Sequence, residues 1–227
     1  VDIRTQAALL AAIVTLALAI AALLRENRSR VFTLFAVFSL DLFLYSLSLF
    51  LFRWPQTQFA ETLWLRVGVA AAALAPAASL AFFLEFLGVA RRPARRARNA
   101  MLVGSLTGIA VAVSPLVHYR VAKWVVAGYV FAGLVIVLST VWGRMRGAPT
   151  RAERARLLYL FIGAAVATAL SVLDLLPRVG LPNPAEGLGS IAITAFMFFV
   201  SQTLLRHRLL DLHELLGKFV VVTALGL

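Results

Sequence analysis

Apolar residues fall in seven runs of about twenty positions, each closed by a short polar or proline-bearing stretch. The runs cover about 5–24, 31–52, 60–90, 99–117, 124–142, 157–176 and 188–205. They are apolar on all sides instead of alternating. A membrane barrel strand is ~10 residues with period-two alternation. A run of ~20 apolar residues is one helical crossing of a bilayer, and at that length in lipid a helix satisfies its own backbone groups. The pattern predicts an all-α integral membrane bundle of seven transmembrane helices over residues 1–205. Residues 206–227 form a separate exit. Its first part sets Leu209, Leu210, Leu212, Leu215 and Leu216 against charged neighbours, an amphipathic stretch for the membrane surface or the start of a cytoplasmic helix. The apolar KFVVVTALGL that follows reads as a further span beginning or as a tail packed on the membrane.

The breaks between runs are of two kinds. RENRSR, RRPARRAR and GRMRGAPTRAERAR are basic, whereas Arg53-Trp54-Pro55, the stretch after Pro115, and PRVGLPNPAEGLG are rich in proline, glycine or aromatics. The third run is the longest and carries Pro76 at its middle, where a missing N–H predicts a kink. Small residues around Pro76, and the row Gly163, Ala167 and Ser171 on the sixth run, predict close helix packing.

Composition agrees. Of 227 residues, 62% are hydrophobic and 14% charged, and the mean hydropathy is +0.92. Soluble domains lie nearer half apolar and a quarter charged, so a soluble globular domain and a disordered chain are both excluded. The absence of cysteine removes a disulfide scaffold, thiolate chemistry and Cys-type metal sites. The first run is long enough to stay in the membrane, and no signal peptide precedes it.

A net charge of +12 would suggest nucleic acid in a soluble protein. Here the basic residues sit between spans, so charge sets orientation and no nucleic-acid partner is expected. Arg25, Arg28, Arg30, Arg91, Arg92, Arg95, Arg96, Arg98, Arg144, Arg146, Arg151, Arg154, Arg156, Arg206, Arg208 and Lys218 fall on one side. Arg4, Arg53, Arg66, Arg120, Lys123 and Arg178 fall on the other. The positive-inside rule places the larger set in the cytoplasm, with the amino terminus outside and the carboxyl terminus inside. Trp54, Trp64 and Trp124 then lie near outer boundaries and Trp142 near an inner one.

Few residues carry chemistry. Asp41 lies midway along the second run, where an ionised carboxylate is expensive. Tyr45 and Ser48 follow on the same helical face, with Ser39 and Ser46 nearby. This polar face is a ligand-binding or switch candidate; the alternative is a hydrogen-bonded Asp gluing two helices. Glu61, Arg66, Asp174 and Arg178 fall at one predicted depth, either as an ion-pair cluster lining an outer vestibule or as side chains snorkelling to headgroups. Glu85 is expected to pair with the basic loop at 91–98. His118, His207 and His213 make no metal site, and LHELLG lacks the second histidine of a zinc-protease helix. There is no GxSxG, no P-loop and no GxGxxG, and no lysine lies within a span to carry a retinal Schiff base. No metal and no cofactor is expected.

Two segments carry a resemblance. LWLRVGVAAAALAPAASLAFFLEFLG, with Trp64, Arg66, Pro76, Phe82 and Phe86, resembles the third helix of the seven-transmembrane amino-terminal sensor region of bacterial histidine kinases. LLRHRLLDLHELLGK, with Arg206, Arg208, Leu209, Leu210 and Asp211, resembles that family's exit from helix seven towards cytoplasmic signalling domains. The resemblance implies a sensor module in the bacterial inner membrane that relays an extracytoplasmic or intramembrane signal through an output junction at Arg206, Arg208, Asp211 and Glu214. It departs from the family where the apolar tail stands in place of a PAS or kinase segment. These residues contain no phosphoacceptor-histidine helix and no ATP-binding domain, so the chain by itself is not a kinase. Its expected partners are the lipid bilayer, a second copy or a larger membrane complex, and cytoplasmic signalling domains. The alternative is a structural or accessory subunit packing around a partner membrane complex. A small-solute transporter fits less well, because inverted halves and paired broken helices are missing.

Overall fold

A computed structural model describes residues 3–25, 29–53, 58–89, 92–174 and 187–205. Among these residues there are seven α-helices and no strand: α1 Ile3–Leu23, α2 Arg30–Arg53, α3 Gln58–Phe86, α4 Arg92–Val113, α5 Arg120–Arg146, α6 Arg151–Leu173 and α7 Leu188–Leu205. A 3₁₀ turn, Pro115–His118, links α4 to α5; Ser114 caps it by accepting from Leu116 N–H, and Pro115 supplies its first position.

Five helices (α1, α2, α3, α5 and α6) are long and apolar enough to cross a membrane, and α7 is a shorter apolar helix. The fourth predicted span differs most from expectation. It was expected at 99–117, but α4 begins at Arg92 inside the basic stretch and ends at Val113. Arginine is a good helix former, so the helix runs on beyond the apolar residues and only its second half is hydrophobic. The sixth span starts early for a similar reason. Thr150 accepts a hydrogen bond from Glu153 N–H at 3.1 Å, a capping-box start that draws the helix into the basic loop.

Consecutive helices pack against one another, and α7 returns to α1 to close the bundle. The third helix is the central member. It packs on α2, α4 and α5, and 67% of its apolar window is buried against 22% for α6. Its 29 residues span about 43 Å, well over the ~30 Å hydrocarbon layer. It ends in a Schellman motif: Gly88 takes φ +64°, Gly88 N–H bonds Glu85 O at 3.2 Å and Val89 N–H bonds Leu84 O at 2.9 Å.

An aromatic cluster fills the core on the carboxyl side of Pro76. The Phe82 ring lies 5.5 Å from Phe35, 6.1 Å from Phe38, 5.0 Å from Phe83 and 5.5 Å from Phe86. Phe83 reaches Phe196 on α7 at 6.4 Å. The row on the sixth helix packs as expected: Gly163 lies under Phe196, since a Cβ there would come 3.2 Å from that ring, and Ala167 is buried.

Candidate functional site

Pro76 cannot donate to Ala72 O, so α3 is weakened at mid-depth. Neighbouring helices close on this point through glycine. A Cβ on Gly133 of α5 would sit 2.5 Å from Pro76 Cβ, and one on Gly108 of α4 would be as close to Ala73. Within α3, Ser79 donates back to Ala75 O at 2.7 Å. Across to α4, the buried Ser105 hydroxyl donates to Ala73 O at 2.8 Å. Ser105 also lies 3.0 Å from the Tyr129 hydroxyl of α5, which donates to Met101 O at 2.7 Å. Two hydroxyl hydrogens thus serve three short oxygen–oxygen contacts, tying α3, α4 and α5 together one helical turn from the kink. Gly104 makes room, because a Cβ there would run into the Tyr129 ring.

On the other side of α3 stands the polar stripe of α2. Asp41 is 3% exposed, and Tyr45, Ser48, Ser39 and Ser46 are buried with it. Ser48 donates to Tyr45 O at 2.6 Å. Neither Asp41 oxygen has a hydrogen-bond partner among the described residues, nor do the Ser39 and Ser46 hydroxyls. The Phe38–Phe82 contact sets the register of the antiparallel pair. Asp41 is three residues beyond Phe38 and Ser79 three before Phe82, each about 4.5 Å along its helix. Asp41 and Ser79 therefore share a depth, next to Pro76. Burying a polar group without a partner costs ~1–3 kcal/mol on mutational scales, and an ionised one far more.

The opposite end from the arginine-rich loops carries Glu61, Arg66 and Asp174 among the described residues. Asp174 is buried at the end of α6, and its Oδ1 accepts Gly187 N–H at 2.9 Å. That bond ties α6 to the start of α7, where a carboxylate also meets the positive end of the helix dipole. Gly189 is needed beside it, since a Cβ there would strike the carboxylate. Gly187, at φ +98°, lies against the Arg4 backbone of α1. Glu61 is exposed in the first turn of α3, whereas Arg66 is half-buried with its Nε buried and unpartnered. Arg178 lies outside the described residues.

The arginine-rich end holds contacts that the sequence did not point to. Glu85 meets Arg30 of α2 at 3.8 Å; the antiparallel α2–α3 register brings Arg30 beside it, and the side chains of Arg91, Arg92 and Arg95 in the expected partner loop lie outside the described ones. Arg144 pairs with Glu153 at 2.9 Å across the α5–α6 turn. Arg156 donates to Thr203 O at 3.3 Å, and its guanidinium lies 5.6 Å from the Phe86 ring centre. It thereby joins the ends of α3 and α7 to the start of α6. Arg206, Arg208, Asp211 and Glu214 lie outside the described residues. Ser105, Tyr129 and Arg156 each bond across helices, which no local sequence pattern reveals. Only the T-x-x-E pattern at Thr150 was there to be read locally.

No curated protein and no solved structure matches the chain. Residues 7–213 match the family described as the N-terminal 7TM region of histidine kinase. That match agrees with helices apolar enough to cross a membrane. The protein is a multi-pass membrane protein, and the chain belongs to the family of seven-transmembrane amino-terminal regions of histidine kinases.

Proposed function

We propose that the chain is the signal-receiving membrane module of a histidine kinase, seated in the inner membrane with its amino terminus outside and its arginine-rich end in the cytoplasm. A signal arriving from outside or from within the bilayer changes the packing around the kinked α3, and α7 passes the change to cytoplasmic signalling domains. The observation that carries this reading is Asp41: a buried carboxylate with both oxygens unpartnered, level with the weak point of α3. Such a group raises the energy of the packing it sits in. A second packing that offers it a partner is then close in free energy, and a ligand or a membrane change that favours one packing shifts the population.

The half of α3 beyond Pro76 is suited to pass on the shift. Phe83 touches α7 through Phe196, and Phe86 meets the Arg156 guanidinium that holds Thr203. Asp41, Tyr45 and Ser48 are the switch face in this reading, Pro76 is the hinge, and Arg206, Arg208, Asp211 and Glu214 are the junction to the output. Arg66, whose buried Nε has no partner among the described residues, is the ligand-facing candidate at the outer end, with Asp174 and Arg178 as further candidates.

The test is output from the full-length kinase carrying Asp41→Asn or Asp41→Leu. Asn keeps hydrogen bonding and loses the charge; Leu removes both. The proposal expects both variants to fold and Leu to lock the output in one state. Unchanged signal response in the Leu variant overturns the switch role.

A further inference from the structure

The arginine-rich end holds two cavities that flank the turn between α3 and α4. One, of about 570 Å³, opens between α3, α4 and α5 and is lined by Leu87, Val89, Ala97, Thr140, Gly143 and Arg144 among others. The other, of about 300 Å³, lies between α2, α3 and α4, with Arg30, Arg98 and Glu85 at its polar margin and Leu34, Ala81 and Leu84 along its wall. Gly88, Val89 and Ala94 border both.

α4 and α5 approach closely around Gly104 and Tyr129, and both helices pack on α3. Towards the arginine-rich end the larger cavity lies between them. The space is open at Gly143, where a Cβ would touch nothing. The walls are apolar on the bilayer side and the cations stand at the rim. Ser139 and Thr140 both donate to Ile136 O, so their hydrogens are committed and the guanidinium groups are the available donors.

The charges at the rim are not fully used within the protein. Arg98 Nε is buried without a hydrogen-bond partner among the described residues. Arg30 holds Glu85 only at 3.8 Å, with its side chain 69% exposed. Arg144 spends one nitrogen, Nη2, on Glu153. Three guanidinium groups thus stand against two carboxylates, Glu85 and Glu153, which leaves an excess of positive charge at the two cavities.

We propose that this pair of cavities is a binding site for an anionic phospholipid, with the headgroup at the margin the cavities share at Gly88, Val89 and Ala94, flanked by Arg98 of one cavity and Arg144 of the other, and an acyl chain in the apolar cleft between α4 and α5. Charge complementarity selects the headgroup, since a basic pocket between spanning helices attracts anionic lipid. The apolar wall selects a lipid over a free anion. An occupied cleft fills the gap that α4 and α5 leave, so the lipid is a packing element of that side of the bundle.

The experiment is native mass spectrometry of the whole chain in detergent, with phosphatidylglycerol and phosphatidylcholine added in equal amounts. The wild type should retain phosphatidylglycerol in preference. Arg98→Gln with Arg144→Gln should weaken that retention about 10–30-fold, on the scale of two near-surface cations. Gly143→Leu should also weaken it, because it fills the cleft without touching a charge, and it serves as the second variant if the double arginine variant fails to fold. Arg4→Gln, at the other end of the bundle, should leave it unchanged, and excess inorganic phosphate should not displace the lipid. Equal retention of the two lipids, equal loss in Arg4→Gln, or displacement by phosphate alone overturns the site.

Discussion

Arg156 reaches from the start of α6 to the carbonyl of Thr203 at 3.3 Å and holds the last turn of α7 in place. This guanidinium gives the carbonyl a charged donor from another helix and so ties the two helices together. The same group lies over Phe86, at the end of the central helix. Loss of the bond and of the ring contact should cost about 1–2 kcal/mol. Arg156→Gln should therefore lower the unfolding midpoint in detergent. In the full-length kinase it should also loosen output control, because the contact between the ends of α3 and α7 is lost. Distances between spin labels at the ends of α3 and α7 report this directly: they should broaden in Arg156→Gln, and an unchanged distribution rules the tether out.

Asp41 makes the opposite prediction for stability. An unpartnered buried carboxylate destabilises the packing that encloses it, and an apolar replacement of similar size is often neutral or stabilising. Asp41→Leu should raise the unfolding midpoint by the equivalent of about 1–3 kcal/mol, while Asp41→Ala should gain less because it leaves a cavity. A clear loss of stability in the Leu variant would show that Asp41 is glue between helices.

Much of this site was legible in the sequence, and the rest was hidden for a physical reason. Asp41 stood out because a carboxylate in a run of apolar residues is costly wherever it faces. Pro76 stood out because its missing N–H acts locally. The role of Ser105 depends on Ala73 O lying 2.8 Å away across a helix interface, and nothing in the local pattern fixes which carbonyl an interfacial serine meets. Glu85 shows the same limit: ten residues separate it from the middle of the basic loop, yet its partner Arg30 is fifty-five residues away in the chain. Helix limits were misplaced at Arg92 and Arg151 because hydrophobicity marks where lipid begins and not where helical hydrogen bonding stops.

The clamp across α3, α4 and α5 should behave as one unit. Tyr129→Phe removes the bond to Met101 O and leaves Ser105 bonded to Ala73 O, so about 0.5–1.5 kcal/mol should be lost. Ser105→Ala leaves the Ala73 carbonyl without its donor from α4 and should cost about 1–3 kcal/mol. The double variant should cost less than the two losses together, because the 3.0 Å contact between the hydroxyls is counted in both. Gly104→Ala should be worse than either, since its methyl meets the Tyr129 ring. Unfolding midpoints for the four variants check the order, and strict additivity would separate the two hydroxyls.

Orientation has a direct chemical test, because the chain contains no cysteine to give a background. In intact cells, Arg95→Cys and Arg151→Cys should be protected from a membrane-impermeant thiol reagent, whereas Gln56→Cys and Pro182→Cys should react. The arginine-rich end is then cytoplasmic, as the loop charges require. Labelling of Arg151→Cys from outside would invert the bundle and with it the direction of any signal.

The exit from α7 decides whether packing changes can leave the membrane. Residues 206–218 lie outside the described ones and place leucine at 209, 210, 212, 215 and 216 and charges at 206, 208, 211, 214 and 218, close to helical spacing; rigid transmission requires a helix continuing from α7. A continuous helix carries a rotation or a piston shift of α7 forward intact, whereas a loop absorbs the displacement in its own dihedrals. One residue inserted after His207 in the full-length kinase turns everything downstream by about 100°. Seven inserted residues return the phase to within about 20°. Rigid transmission therefore expects output to be lost or locked by the single insertion and largely restored by the longer one. Kinase activity with and without stimulus, measured across insertions of one to seven residues, should rise and fall with helical period. A response that is flat across the series would show that the junction passes no rotation, and α7 would then have to act by assembly with a partner and not by turning.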